Sequence, residues 1–264
     1  MKYVYVFALF AILAVFSNAA PVGEDKADEA APADAPKEQG ITKADLCAYY
    51  EKIADRMLPL VNDRVVSLVR CPKGITGQKF FEKHCSASKG WPKAMKCVQV
   101  LEKNGHKASY EVCDAALEVR DLLLKYGGLK SVPMLTGGKG IHIIAPMIPS
   151  LTWPEVSDFA KNLAKFMEKS KPEKYISTST KSKRKGLIFV DYLRNGRGAT
   201  AVAPYSTRAR QGAPVAAPIT WEELKKADSA SMYNVEKMLK RIEEPDPWEE
   251  SYTWKQKLTP KTFK

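Results

Sequence analysis

The sequence predicts an α+β fold in which mixed or antiparallel sheets are flanked by helices. Segments with apolar residues at helical spacing alternate with short runs of β-branched residues, but these do not form a regular βαβ repeat. The chain has 264 residues, of which 45% are hydrophobic and 27% charged, as in ordinary globular proteins. This composition excludes a collagen, a fully disordered chain and a small disulfide-rich protein.

Residues 1–20 are typical of a secretory signal peptide. Lys2 precedes an apolar run of 14 residues, and the small residues at 17–20 complete the pattern. The run is short for a membrane span, so we expect no stable membrane insertion once the peptide is removed. Residues 21–40 are rich in alanine, proline and acids and predict a disordered linker. We therefore expect a secreted protein, or an intracellular one if this N-terminus is a gene-model artefact.

Helix signals are spread along the rest of the chain. Thr42 and Asp45 predict a helix start, because a side-chain cap precedes an acid near the positive end of the helix dipole. Apolar residues then recur at helical spacing as far as Leu60. The other helices are expected at 112–126, after the capping boxes that begin at Thr152 and Thr220, and at 232–242.

Strands are expected between these helices, where β-branched and aromatic residues cluster. The strongest candidate is 187–193, an apolar run interrupted only by Asp191. Residues 200–204 follow as its expected hairpin partner. Further strands are expected at residues 64–70 and 141–145.

The chain is basic, with 42 Lys and Arg against 30 Asp and Glu. Three of the basic and six of the acidic residues lie in residues 1–40, so the expected domain at 41–250 and the basic tail at 251–264 together carry +15. This surplus favours a polyanionic partner, although a basic surface with no specific partner has the same composition. Five cysteines without a C-x-x-C spacing, and only three histidines, argue against a zinc ribbon and a histidine-rich metal site.

The glycine-rich segment at residues 136–142 is the first candidate for chemistry. Its glycines let the backbone approach a ligand closely, and Lys139 could reach a phosphate. The spacing is not that of a Walker motif, and a glycine-rich turn is often a plain connector. The residues alone leave both interpretations open.

Asp191 is the second candidate, because a carboxylate inside an apolar strand costs free energy unless it is paired. A metal ion or a nearby arginine such as Arg194 could pair with it. Alternatively, the alternation of the strand could turn Asp191 towards solvent.

Two further patches could contact a nucleic acid or a phosphate. Arginine forks suit phosphate oxygens, and a hairpin could bring the Arg194 and Arg208 regions together as a phosphate clamp. The adjacent rings of Phe80 and Phe81 cannot both face one core, so one of them could stack on a base. A solvated basic surface, and rings buried in two separate layers, are the alternatives.

Eight short motifs occur in order along the chain, among them Phe-Val-Asp-Tyr-Leu-Arg-Asn at 189–195 and Asp-Pro-Trp at 246–248. The other six lie at residues 49–59, 67–72, 80–84, 136–142, 199–206 and 208–210. Together they resemble the polymerase domain of bacterial DNA ligase D, which belongs to the archaeo-eukaryotic primase superfamily. The resemblance covers about residues 41 to 248.

This resemblance implies a primase-polymerase-like fold and nucleotidyl transfer at DNA ends in non-homologous end joining, with Mn²⁺ or Mg²⁺. It implies that Asp191 is catalytic, as the last of three metal-binding carboxylates, and that DNA ends, nucleoside triphosphates and a ligase are the partners. The implied nucleotide-binding residues are Thr136, Gly137, Gly138, Lys139, His142, Arg208 and Arg210. The implied DNA-binding residues are Lys43, Lys52, Phe80, Phe81 and Lys83.

The sequence departs from the family between residues 84 and 136. A Leu-Glu-Ile-His-x-Trp motif and the Asp-Leu-Asp-Pro strand that supplies the first two metal ligands are missing there, which predicts a truncation near 105–115. The only acidic pair at i and i+2 is Glu244/Asp246, after the last expected helix. Two-metal transfer needs several convergent carboxylates, so we expect impaired catalysis. The alternative is a non-catalytic binder of nucleic acid or nucleotides, which the signal-peptide pattern would place outside the cell.

Overall fold

A computed structural model describes residues 9–10, 40–61, 68–70, 80–82, 97–103, 110–196 and 199–263. Nearly all of the predicted signal peptide and linker lie outside these ranges, so both stay predictions. Within the described ranges, none of the helices combines the length and apolar character that crossing a bilayer requires.

Helices and strands alternate along the described residues. The helices are α1 (Lys43–Val61), α2 (Tyr110–Gly127), α3 (Trp153–Ser170), α4 (Trp221–Lys226) and α5 (Val235–Arg241). The strands are β1 (Leu9–Phe10), β2 (Leu68–Arg70), β3 (Phe80–Glu82), β4 (Cys97–Lys103), β5 (Val132–Leu135), β6 (Gly140–Ala145), β7 (Tyr175–Ile176), β8 (Ile188–Asp191), β9 (Ala201–Val202) and β10 (Ala217–Pro218).

A six-stranded sheet lies at the centre, with the strand order β10-β5-β6-β4-β8-β7. Its neighbouring strands are antiparallel, except β7 and β8, which run parallel. Two smaller pairs lie outside it: β2 with β3, antiparallel, and β1 with β9, parallel. The α+β class predicted from the sequence is confirmed.

Helices cover this sheet and form the core with it. Every residue of β5 and β6 is buried, so both faces of these strands are covered. Helix α2 packs against β4 and β6, and α3 packs against β4 and β7. Residues 251–263 dock onto the end of α2, where the Phe263 ring lies 4.7 Å from that of Tyr126, centroid to centroid. The predicted basic tail therefore packs on the domain.

Three predicted helix starts are confirmed by their capping contacts. The amide of Thr42 donates to the Asp45 carboxylate at 2.7 Å, and the Asp45 amide donates back to the Thr42 hydroxyl at 3.2 Å. The Thr220 and Glu223 pair at the start of α4 makes the same reciprocal contacts. The Thr152 amide likewise donates to Glu155 at 2.7 Å before α3.

The predicted hairpin between 187–193 and 200–204 is wrong. Strand β8 ends at Asp191, because the chain turns into a 3₁₀ helix at Leu193–Asn195. Both edges of β8 are already paired, one with β4 and the other with β7, so no edge is left for a following strand. Residues Ala201–Val202 pair instead with Leu9–Phe10.

Candidate functional site

The glycine-rich segment forms the tight turn between β5 and β6. The Thr136 hydroxyl donates to the Gly140 carbonyl at 2.7 Å and closes the turn. Gly137 has a φ of +63°, and a Cβ there would lie 2.8 Å from Cγ of Arg208 and 3.0 Å from the Val215 backbone. Only glycine allows the backbone to turn this tightly against Arg208. The turn is therefore more than a connector, since its shape fits a second segment of the chain.

That second segment carries Arg208 and Arg210, so the fold brings together two regions that the sequence predicts as nucleotide-binding. An NH group of Arg208 donates to the Thr136 carbonyl at 3.0 Å. A Cβ on Gly138 would stand 3.6 Å from the guanidinium carbon of Arg210. Lys139, at the tip of the turn, is exposed. Three cationic side chains thus surround one glycine-rich turn.

His142 lies in β6 and is buried, with 4% of its surface exposed. Burial, with a smaller effect from the positive charges of Arg194 and Arg208, lowers its pKa from 6.5 to about 3. The ring is therefore neutral at physiological pH. Its Nδ1 atom is buried and has no hydrogen-bond partner among the described residues.

Asp191 ends β8 and is also buried, with 5% of its surface exposed. One carboxylate oxygen accepts the Leu193 amide at 2.9 Å, and the other accepts Nε of Arg194 at 3.2 Å. Arg194 in turn donates to the Thr200 carbonyl at 2.6 Å. The pairing with Arg194 that the sequence allowed is confirmed, and the solvent-facing interpretation of Asp191 is wrong.

Strand β4 lies between the strands that carry His142 and Asp191. Its residue Val100 has both of them as Cα partners, one on each side. The positive charge of Arg194, which pairs with Asp191, also lowers the pKa of His142. His142 and Asp191 therefore lie on the two strands that flank β4, at the same level of the sheet.

The predicted DNA-binding residues are only partly described. Lys43 begins α1, and Lys52 is exposed on the same helix. Phe80 and Phe81 lie in β3, where their Cα atoms pair with Arg70 and Val69. Lys83 lies outside the described residues. None of these residues is shown to contact the cationic turn, that is, the turn at 136–139 with the side chains of Lys139, Arg208 and Arg210. Their role stays a prediction.

Two tyrosines of α1 contact residues 205–207, which lead into Arg208, and the sequence patterns do not predict these contacts. The Tyr49 hydroxyl donates to the Tyr205 carbonyl at 2.6 Å, and the Tyr50 hydroxyl lies 3.0 Å from that of Thr207. Tyr205 itself has a φ of +64°, a strained value for a residue other than glycine. Helical spacing marks such tyrosines as core residues, but it does not show that their hydroxyl groups reach a loop 156 residues away.

The residues that the structure describes do not fit a two-cation centre. No group of three or more His, Cys, Asp and Glu that could hold a metal ion occurs among the described residues. Both oxygens of Asp191 are already engaged by protein groups. The sequence contains no Asp between Asp63 and Asp114, and the one acid on β4, which lies in that interval beside β8, is Glu102. A pair of catalytic cations needs more carboxylates than this set offers.

Comparison with known proteins identifies the family. The family model described as "LigD, primase-polymerase domain" matches residues 42–114 and 105–248. The chain belongs to the LigD primase-polymerase family. Members of this family are metal-dependent polymerases, and the family predicted from the sequence is confirmed. The two matched segments overlap at 105–114, where the sequence predicts a truncation, and that truncation stays a prediction.

Three relatives show how far the likeness extends. The multifunctional non-homologous end joining protein LigD of Pseudomonas aeruginosa is 31% identical over 83% of this chain and 32% of its own length. The bifunctional LigD of Bacillus subtilis is 24% identical over 76% of this chain and 40% of its own length. The polymerase domain of Mycobacterium tuberculosis ligase D, solved in complex with DNA, has a TM-score of 0.73 and 27% identity, over 82% of this chain and 94% of that one. This LigD-type chain spans about a third of the length of the first curated relatives.

Proposed function

We propose that this LigD-type domain binds DNA ends and nucleoside triphosphates at the cationic turn, and that it performs nucleotidyl transfer only weakly. The likeness to a polymerase domain solved with DNA supports the choice of ligand. The surplus of +15 in residues 41–264 supports an anionic partner of this kind. A role in non-homologous end joining is proposed from the names of the relatives, and a ligase is proposed as a further partner.

The observation that carries the proposal is the pairing of Asp191 with Arg194. A carboxylate that accepts an arginine and a backbone amide is already neutralised and oriented by the protein. Arg194 therefore competes with a cation for Asp191. The guanidinium groups of Arg208 and Arg210, by contrast, remain beside the turn as phosphate-binding groups.

These residues can bind and orient a triphosphate without further groups. Arg208 is fixed by its bond to the Thr136 carbonyl, so little side-chain freedom is lost when it contacts a phosphate. Lys139 and Arg210 are exposed and can adjust to the ligand. His142 is neutral and can accept or donate one hydrogen bond without adding charge. Mn²⁺ or Mg²⁺ would be the family's ion, but the donor set among the described residues does not fit it.

The second candidate function is binding without any transfer, and the same ion pair favours it. A domain of this kind would retain the affinity for DNA ends and triphosphates and would lack only the chemistry. Because residues 1–20 have the pattern of a signal peptide, we propose that a protein with this second function is exported. The two candidate functions therefore share one binding site and differ only in the rate of nucleotidyl transfer.

Primer extension with Mn²⁺ tests the proposal. We expect the chain to bind a recessed DNA end, with an affinity that falls steeply as salt rises. Extension should be slower than that of the M. tuberculosis polymerase domain by about 100-fold or more, because transition-state charge is poorly neutralised. Extension at the rate of that domain, abolished by Asp191→Ala, would contradict weak catalysis. Failure to bind either DNA or a triphosphate would contradict the proposed function itself.

A further inference from the structure

A pocket of about 300 Å³ opens beside the glycine-rich turn. One wall is formed by Gly137 and Gly138, a second by the turn at 210–212, and a third by residues 231–237, which lead into α5. The residues that line it are mainly polar or small, and none is acidic. A phosphate chain fits such a volume, and nothing in its lining repels negative charge.

Two cationic side chains face this pocket, from separate segments of the chain. They are Arg210, which follows the Arg208 that is fixed to the turn, and Lys237 on α5. Because Gly138 has no side chain, the guanidinium of Arg210 is open to the pocket, with its carbon only 3.6 Å from where a Cβ would stand. Neither the sequence motifs nor the resemblance to the family points to Lys237.

The start of α5 directs Lys237 towards the pocket. The Asn234 side chain caps the helix by accepting the Lys237 amide at 2.9 Å. The Lys237 ammonium lies 3.2 Å from the Met232 carbonyl, so it is held by a neutral group in the described structure. Lys240, one turn later, instead donates to Glu236 at 2.9 Å. Lys237 thus donates to a neutral carbonyl, whereas Lys240 donates to Glu236, whose carboxylate also interacts with the charge of Lys237.

We propose that Lys237 and Arg210 bind the terminal phosphates of a nucleoside triphosphate whose inner phosphates contact Arg208. This inference rests on the proposed function and names a residue of the same site. With a single carboxylate that is already paired, the site must balance the charge of a triphosphate with protein cations. A lysine on a flexible stem suits this role at the outer end, where phosphate positions vary most.

Titration of the full chain with one labelled nucleoside as its mono-, di- and triphosphate, in EDTA, tests the inference. We expect Lys237→Ala to weaken triphosphate binding about 3–10-fold, since an exposed charge is partly screened by solvent. The diphosphate should lose less affinity, and the monophosphate should bind as before. Lys237→Arg should recover most of the triphosphate affinity. Lys240→Ala is the matched control and should bind all three like the unmodified chain.

Each outcome separates the two proposals. Equal losses for all three nucleotides in Lys237→Ala would indicate a general effect on the fold and would overturn the inference. Unchanged triphosphate binding in this variant would overturn it as well, while leaving the proposed function intact. An unmodified chain that binds none of the three would overturn both.

Discussion

Replacing Arg208 with alanine is expected to lower the affinity for a nucleoside triphosphate by about 10–100-fold, which is the loss that one charged hydrogen bond typically causes. Arg208 contributes twice. Its charge lies at the glycine-rich turn, and its bond to the Thr136 carbonyl fixes the shape of that turn. The alanine variant loses both, so this is the largest binding effect that we expect from one residue.

Equilibrium titration with a labelled triphosphate measures this effect. Arg208→Lys should recover part of the affinity, since it restores the charge but not the planar fork. Arg120→Ala is the control, because Arg120 lies on α2 and pairs with its neighbour Asp121 at 2.8 Å. An affinity in Arg208→Ala within about twofold of the unmodified chain would show that the turn is not the phosphate site, since even a weak charged contact exceeds that.

Acidification is expected to destabilise the fold through His142. The pKa of this histidine is about 3 in the folded chain and has its ordinary value of 6.5 when unfolded, because burial and two arginines oppose the charged ring. Between these pH values the unfolded chain binds a proton on His142 that the folded chain does not. The contribution of His142 to the free energy of unfolding is therefore fully present above pH 6.5 and is lost as the pH falls towards 3. The expected loss from this residue is about 2 kcal/mol at pH 5.

Chemical denaturation of the unmodified chain and of His142→Gln, at pH 7 and at pH 5, isolates this contribution. Glutamine is neutral at both values and offers polar atoms of similar reach. The unmodified chain should lose about 2 kcal/mol more than the variant between the two pH values. Equal losses would show that folding does not lower the pKa of His142, contrary to the effect expected from its burial.

The local features of this fold could be predicted from the sequence, because short-range chemistry decides them. The three helix starts depend on contacts between residues three apart, and the pairing of Asp191 with Arg194 spans the same distance. The turn at 136–139 could be found from its glycines. In each case the interacting groups are close in the chain, so their spacing alone is informative.

Strand pairing and the assembly of the site could not be predicted in this way. Residues 200–204 look like a hairpin partner, but whether an edge of β8 is free depends on strands that lie far away in the sequence. The approach of Arg208 to Thr136 joins segments 72 residues apart and was implied only by resemblance to a family. The contact between Tyr49 and Tyr205, and the position of Lys237, have no signal in the sequence.

Triphosphate binding by the unmodified chain and by Asp191→Asn, in Mn²⁺ and in EDTA, tests most directly whether Asp191 serves Arg194 or a metal ion. The asparagine oxygen can still accept the Leu193 amide, but it removes the negative charge from Arg194. If Asp191 serves as the partner of Arg194, both proteins bind the triphosphate in EDTA, and Asp191→Asn binds it at least as tightly as the unmodified chain. Adding Mn²⁺ then changes neither affinity by more than about threefold. An affinity that Mn²⁺ raises more than about tenfold, with the gain lost in Asp191→Asn, would contradict the account, since only a metal-ligand role explains it.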